Sequence, residues 1–179
     1  MTVFRPSRGI KAPTLSPSTP HSHLLAEHEL VITRLIDAPR ERVFKAWTDP
    51  AALVHWWGPH GFTTPVCELD VRPGGAFRIH MCSPEGEVYP IRGSYCEVVP
   101  LERLVYSDDW EDGFKPSQQS HVTVLFAEQE GKTLLTVRPL FGSVEERDAM
   151  QAQGLVEGWI EGLERLESHL IPEQPPVSR

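Results

Sequence analysis

Between Phe62 and Pro139 the chain shows no helical period, and its apolar segments are cut by turn residues at hairpin spacing. β-Branched and aromatic residues dominate between Pro73-Gly74-Gly75, Ser83-Pro84-Glu85-Gly86, Pro100, an acidic stretch at 109–118 and Glu130-Gly131. This predicts strands at 62–72, 75–82, 87–99, 102–108, 119–128 and 132–140. A further apolar segment, Glu29 to Asp37, adds a first strand, so the sheet has seven strands, largely antiparallel by hairpin adjacency.

Two short helices fit between the first strand and the rest. Asp37-Ala38-Pro39 reads as a helix start, with Asp37 capping and proline in the first turn. Asp49-Pro50-Ala51 reads as a second start, and Gly58-Pro59 stops it. After the strands comes one long helix. Ser143-Val144-Glu145-Glu146 is a capping box, and Leu155, Trp159, Leu163, Leu166 and Leu170 form the apolar stripe that follows. Pro172 ends it.

Gly154, Gly158 and Gly162 recur beside that stripe, each costing about 1 kcal/mol in a helix interior relative to alanine. Either the helix backbone approaches the sheet very closely there, or the glycines leave space for something else. A membrane-dimer reading fails because Glu157, Glu161 and Glu164 flank them.

The hairpin at Pro73 tests the strand pattern. A three-residue loop, 73–75, pairs Val71 with Phe77, Leu69 with Ile79 and Cys67 with Met81. It sets Asp70 opposite Arg78 and places Gly75 in a left-handed bulge. The two-residue loop would mix apolar and charged side chains on one face.

The 179 residues suit one domain, and a formal net charge of −8 argues against nucleic-acid binding, which needs clustered Lys and Arg. No apolar run reaches membrane-spanning length, and no secretory signal is visible. Cys67, Cys82 and Cys96 are an odd set without a CxxC pair, read as reduced thiols in a cytoplasmic protein. Residues 1–28, rich in Pro, Ser, Thr and His, are expected to form a flexible arm. The domain then spans 29–171, with a tail at 172–179.

The order strand, two short helices, six strands and long helix is a helix-grip arrangement. Several motifs fall along it in order: Asp37-Ala38-Pro39-Arg40, Val43-Phe44-Lys45-Ala46-Trp47-Thr48-Asp49-Pro50, Trp56-Trp57-Gly58-Pro59, Arg72-Pro73-Gly74-Gly75, Tyr89-Pro90-Ile91-Arg92-Gly93-Ser94-Tyr95 and Gly158-Trp159. Together they resemble Hsp90 ATPase activator homologue domains of the START-like (SRPBCC) superfamily, over residues 29–170. The resemblance implies an α+β fold, a curved seven-stranded antiparallel sheet around a long C-terminal helix, with an internal cavity. It does not imply one activity: relatives include co-chaperone modules, antibiotic-sequestering proteins and polyketide cyclases, and a stress-related role is among the expectations.

Trp56 and Trp57 are either an aromatic rim for an apolar ligand or packing for the short helices, whereas Trp47 is read as core. Phe62 sits beside them at the expected mouth, and Gly158 and Trp159 belong to the helix face that would form the cavity wall. Arg92, Tyr95 and His121 are candidate polar anchors on central strands. His55, His60, His80 and the cysteines are scattered among elements and suggest no zinc site. Asp108, Asp109, Glu111 and Asp112 read as a solvated acidic loop. There is no nucleophile elbow, phosphate loop or dinucleotide fingerprint. No catalytic residue, metal or cofactor is assigned.

The expected function is therefore non-enzymatic binding of a small apolar or amphipathic ligand, by a monomer or homodimer. The alternatives are a co-chaperone-type interaction module, working through the acidic face of the last helix and the 108–112 segment, or a cyclase-like enzyme using Arg92 and Tyr95.

Overall fold

The computed structural model describes residues 27–111 and 120–171. The arm expected at 1–28, apart from its last two residues, and the tail at 172–179 lie outside the described residues, as does most of the acidic stretch. Seven strands form one sheet: β1 (Ile32–Ile36), β2 (Thr63–Leu69), β3 (Ala76–Cys82), β4 (Val88–Val99), β5 (Arg103–Trp110), β6 (Ser120–Gln129) and β7 (Lys132–Leu140). All neighbours are antiparallel, in the order β1-β7-β6-β5-β4-β3-β2, and the sheet curls into a half-barrel. The edges are thus β1 and β2, and the link between them carries α1 (Arg40–Thr48) and α2 (Pro50–Leu53). No described helix is long and apolar enough to cross a membrane.

Alternation decides which face is concave. Leu104 and Tyr106 on β5, Val122, Val124 and Phe126 on β6, and Leu135 and Val137 on β7 are all buried on one side. The opposite side carries ion pairs such as Arg103 with Glu97 at 2.6 Å. The extra residue Cys96, between the pairs Tyr95↔Tyr106 and Glu97↔Val105, is a bulge that bends β4 and adds local twist.

The C-terminal element differs from expectation. One continuous helix was expected from Ser143, and two form: α3 (Val144–Ala152) and α4 (Leu155–Leu170). Gly154, at φ 87°, breaks them, a left-handed conformation that side chains disfavour. Half of the expected capping box forms: Glu146 N–H donates to Ser143 Oγ at 3.2 Å, while the Glu146 carboxylate accepts the N–H of Gly142, one residue before the N-cap, at 2.9 Å. α3 buries no residue, whereas α4 buries Leu163, Leu166 and Leu170 in the half-barrel. At about 1.5–3 kcal/mol per buried leucine, that burial outweighs the roughly 2 kcal/mol that Gly158 and Gly162 cost the helix.

Two further expectations are corrected. Asp37 does not cap α1, whose N-cap is Pro39 with no side-chain bond; Asp37 pairs instead with Lys132 at 3.3 Å. Asp49 does cap α2, accepting the Ala51 N–H at 2.9 Å. The Pro73 hairpin has Leu69 opposite Phe77, Cys67 opposite Ile79 and Glu68 opposite Arg78, so the register is two residues away from the one expected. The apolar face is preserved because an even shift keeps every side chain on its side. The cause lies in the loop, where Asp70 N–H bonds Ala76 O at 2.9 Å and Gly74 and Gly75 pair with Tyr95 of β4. Gly74, not Gly75, has positive φ (79°), and a Cβ at Gly75 would lie 1.9 Å from Asp70 O. Asp70 pairs with Arg72 at 2.8 Å instead of Arg78.

The segment after α2 is tied to α4 by Arg165. Its guanidinium donates to the carbonyls of Gly58 and Pro59, both at 2.9 Å, and more weakly to Trp57 and His55 at 3.3 and 3.2 Å. Gly162 lies at this junction, where a Cβ would sit at ordinary contact distance, 3.5 Å, from Gly58 O.

Two substitutions check this arrangement. Arg165→Met should lower the unfolding free energy in urea by about 2 kcal/mol, because it strips charged donors from several carbonyls at once. Arg165→Lys should restore only part of that, lacking the planar fork; a loss below about 0.5 kcal/mol would mean the tie is weak. Gly154→Ala should destabilise by about 1 kcal/mol. In a continuous helix the same change would stabilise by about as much, so the sign of the shift in urea midpoint decides whether the break exists.

Candidate functional site

The concave face and the helices do not meet everywhere. Beside α4, where the glycines lie, a cavity of about 280 Å³ remains between α3, α4, the 56–59 segment and the strands. Its sheet wall is apolar, from Met81, Ile91, Val122 and Pro139, and Leu155 and Trp159 close it from the helix side. Gly158 leaves it open: a Cβ there would meet only Pro59 Cγ, at 3.6 Å. Of the two explanations for the glycine row, Gly158 follows the second; Gly162 faces the Gly58 backbone at ordinary contact distance.

The tryptophans form one cluster. Trp47 is stacked on Trp159 with centroids 6.0 Å apart, and Trp56 and Trp57 lie 4.9 and 5.9 Å from it. Trp56 is 1% exposed and Trp57 8%, so they are walls of the cavity and parts of the core at once. Trp56 Nε1 donates to Ala46 O at 3.0 Å, fixing its ring from behind. Trp47 is in the core and does not line the cavity. The exposed side of the lining lies at the α3–α4 joint, around Gln153, not at a rim of Trp56 and Trp57.

Of the residues singled out in the sequence, Trp56, Trp57, Gly158 and Trp159 line the cavity together. Phe62, Arg92, Tyr95 and His121 do not. Phe62 sits behind the wall, packed on Tyr89 with centroids 5.8 Å apart. Arg92 is on the outer face, opposite Arg78 and Asp109 in register. Tyr95 is buried in the core against Phe77, and burial pushes its hydroxyl pKa up. His121 is exposed, because its neighbours Ser120 and Val122 take the inward positions.

The residue that the sequence reading missed is Asp108. It was assigned to a solvated loop, but β5 continues through Trp110, and Asp108 follows Leu104 and Tyr106 onto the concave side. Its signal was the alternation Leu104, Tyr106, Asp108, Trp110, which puts a carboxyl among apolar residues of one parity. Ser120 Oγ, across the β5–β6 pair, donates to its Oδ1. Burial pushes the Asp108 carboxyl up to about 6, against the lowering effect of the Ser120 hydrogen bond. Glu111, from the same stretch, is turned outward and held by Arg78 and His80, whose hydrogen bonds draw its carboxyl down to about 2. No group of three or more metal-ligating side chains converges among the described residues.

The site therefore combines a small, mostly apolar chamber with aromatic walls and a desolvated acid–hydroxyl pair in its sheet wall. Comparison with known proteins agrees with this architecture. Among solved structures, a protein of Mycobacterium smegmatis is 26% identical with a TM-score of 0.74, the match covering 89% of this chain and all of the other (100%). A protein of Nitrosomonas europaea is 26% identical with a TM-score of 0.72, covering 81% and 95%. One from Chromobacterium violaceum is 29% identical with a TM-score of 0.70, covering 81% and 99%. No curated protein matches the chain. The family model described as Activator of Hsp90 ATPase homolog 1-like protein matches residues 37–170, three-quarters of the sequence, and the chain belongs to that family.

Proposed function

We propose that this protein binds a small, mainly apolar ligand in the cavity between α3, α4 and the sheet. One observation carries the reading: about 280 Å³ stays open between the helices and the sheet where Gly158 presents no side chain. Packed cores rarely leave voids larger than a water molecule. The volume lies near the lower end of small-molecule pockets, and an apolar lining with a few polar groups is their usual composition. Trp56 and Trp159 supply rigid area, and the Asp108–Ser120 pair supplies orientation.

The interaction-module alternative draws less support from the geometry. Three of the acids it would use on the last helix are engaged within the chain: Glu161 accepts the His60 N–H, and Glu164 and Glu167 pair with Arg34, while Glu157 is exposed. Asp108 is turned inward. A cyclase-like use of Arg92 and Tyr95 would need both in one chamber, whereas one is on the outer face and the other is in the core.

Filling the cavity from Gly158 tests the proposal. Gly158→Ala should raise stability by about 1 kcal/mol through helix propensity, since its Cβ has room. Gly158→Leu should extend into the chamber. In calorimetric titration, 1-naphthalenemethanol should bind the unmodified protein at one site, and Gly158→Leu should weaken it by at least about tenfold, or 1.4 kcal/mol, without lowering the melting temperature. Equal affinity in both proteins, or no saturable binding to either, would remove the cavity from consideration as a ligand site.

A further inference from the structure

The lining has a charge bias that its apolar character hides. Among the described residues, two carboxylates, Asp108 and Asp109, border the cavity, and no Lys, Arg or His does. Asp109 Oδ1 accepts the backbone N–H of Trp110, and Asp109 lies opposite Arg92 in register, which leaves Asp108 as the acid set in the chamber wall. The other polar lining groups are the Ser120 hydroxyl, already given to Asp108, the Gln153 amide at the exposed side, and Tyr89, whose hydroxyl donates outward to Glu87. Around these stand aromatic rings: Trp56, Trp57, Trp159, Phe141, Tyr89 and Trp110.

We propose that the cavity selects an organic cation, an aromatic or aliphatic amine whose ammonium group pairs with the Asp108 carboxylate while its apolar body lies against the tryptophans. This rests on the ligand-binding reading above and adds the chemical class of the ligand. A carboxylate offers about four lone-pair sites, and Ser120 and the Asp108 backbone N–H take two of them. Aromatic faces attract a desolvated cation, and such rings commonly enclose ammonium ligands. An anionic ligand would instead enter a low-dielectric chamber beside an ionised carboxylate, with no described cation lining it. The groups acting on Asp108 electrostatically are Asp109, which opposes its ionisation, His121, next along β6, which favours it, and the buried Tyr106. α3, α4 and the joint between them contribute uncharged residues to the lining, among them Met150 of α3 and Gln153 of the joint, and the 56–59 segment contributes no charge.

The preference follows the ionisation of Asp108. Its carboxyl is charged above about pH 6 and neutral below, so amine affinity falls as pH drops through that value, while the affinity of a neutral ligand stays flat.

A matched set tests this by calorimetric titration: 1-naphthylmethylamine, protonated between about pH 5 and 8, 1-naphthalenemethanol and 1-naphthoate. At pH 7.5 the amine should bind at least about tenfold tighter than the alcohol, and naphthoate weakest. The amine's advantage should shrink by about tenfold by about pH 5 and be lost in Asp108→Asn. Should Asp108→Asn not fold, the pH series decides alone. Alcohol and amine binding equally at pH 7.5, naphthoate binding best, or a preference unchanged between pH 7.5 and 5 would each overturn cation selection while leaving the cavity as a ligand site. If none of the three binds, both readings fall.

Discussion

The guanidinium of Arg165 holds the site together. Four carbonyls from His55 to Pro59 converge on one side chain of α4, which joins Thr64 Oγ1 at Trp57 O and the Phe62 N–H at Pro59 O. Once that segment is fixed against Gly162, the rings of Trp56 and Trp57 have fixed positions, and so does the end of the chamber they form. The desolvation that lowers the Arg165 pKa is the counterpart of this role, because the charge gives up water in exchange for carbonyl dipoles.

The remainder of the molecule arranges itself around that junction. β1 and β2 are sheet edges, far apart in the strand order, and the chain between them has to pass across the open side of the half-barrel. α1 and α2 make that passage, and α1 packs Val43, Ala46 and Trp47 into the core on the way. Arg34 on β1 reaches Glu167 on α4 at 2.7 Å, and Arg42 on α1 donates to Leu170 O at 2.7 Å, at the end of α4. Edge strand, crossover and C-terminal helix are thereby joined at one end. At the other end α4 starts from a broken joint, and there the interior stays open.

The sequence made the strand plan legible because hairpin turns and β-branched runs are local signals. Trp56, Trp57, Gly158 and Trp159 were legible as a group for a related reason: large rings and an unexplained glycine both ask what surrounds them. Three features were not. The left-handed turn at Gly154 looks, in one dimension, like any other glycine of the row, and only tertiary packing of the two helices distinguishes it. The Pro73 register depended on Gly74 and Gly75 bonding to Tyr95, a non-local pairing that turn chemistry cannot reveal. Asp108 was masked by its acidic neighbours: Asp109 and Glu111 bond a backbone amide and outward-facing side chains, and composition averaged the three together. Arg92, Tyr95 and His121 show the same weakness from the other side. Being on a central strand says nothing about facing inward until the parity of that strand is fixed.

The β2–β3 loop has a consequence for how chains of this architecture diverge. Since the sheet face occupied by Cys67, Leu69, Phe77 and Ile79 is set by parity, gain or loss of a single residue between 70 and 75 would invert one strand against its neighbour, whereas a change of two would leave the interior untouched. A change of one residue is compatible with the same interior only where the turn itself, or a bulge such as that between Thr63 and Val66, takes up the odd residue.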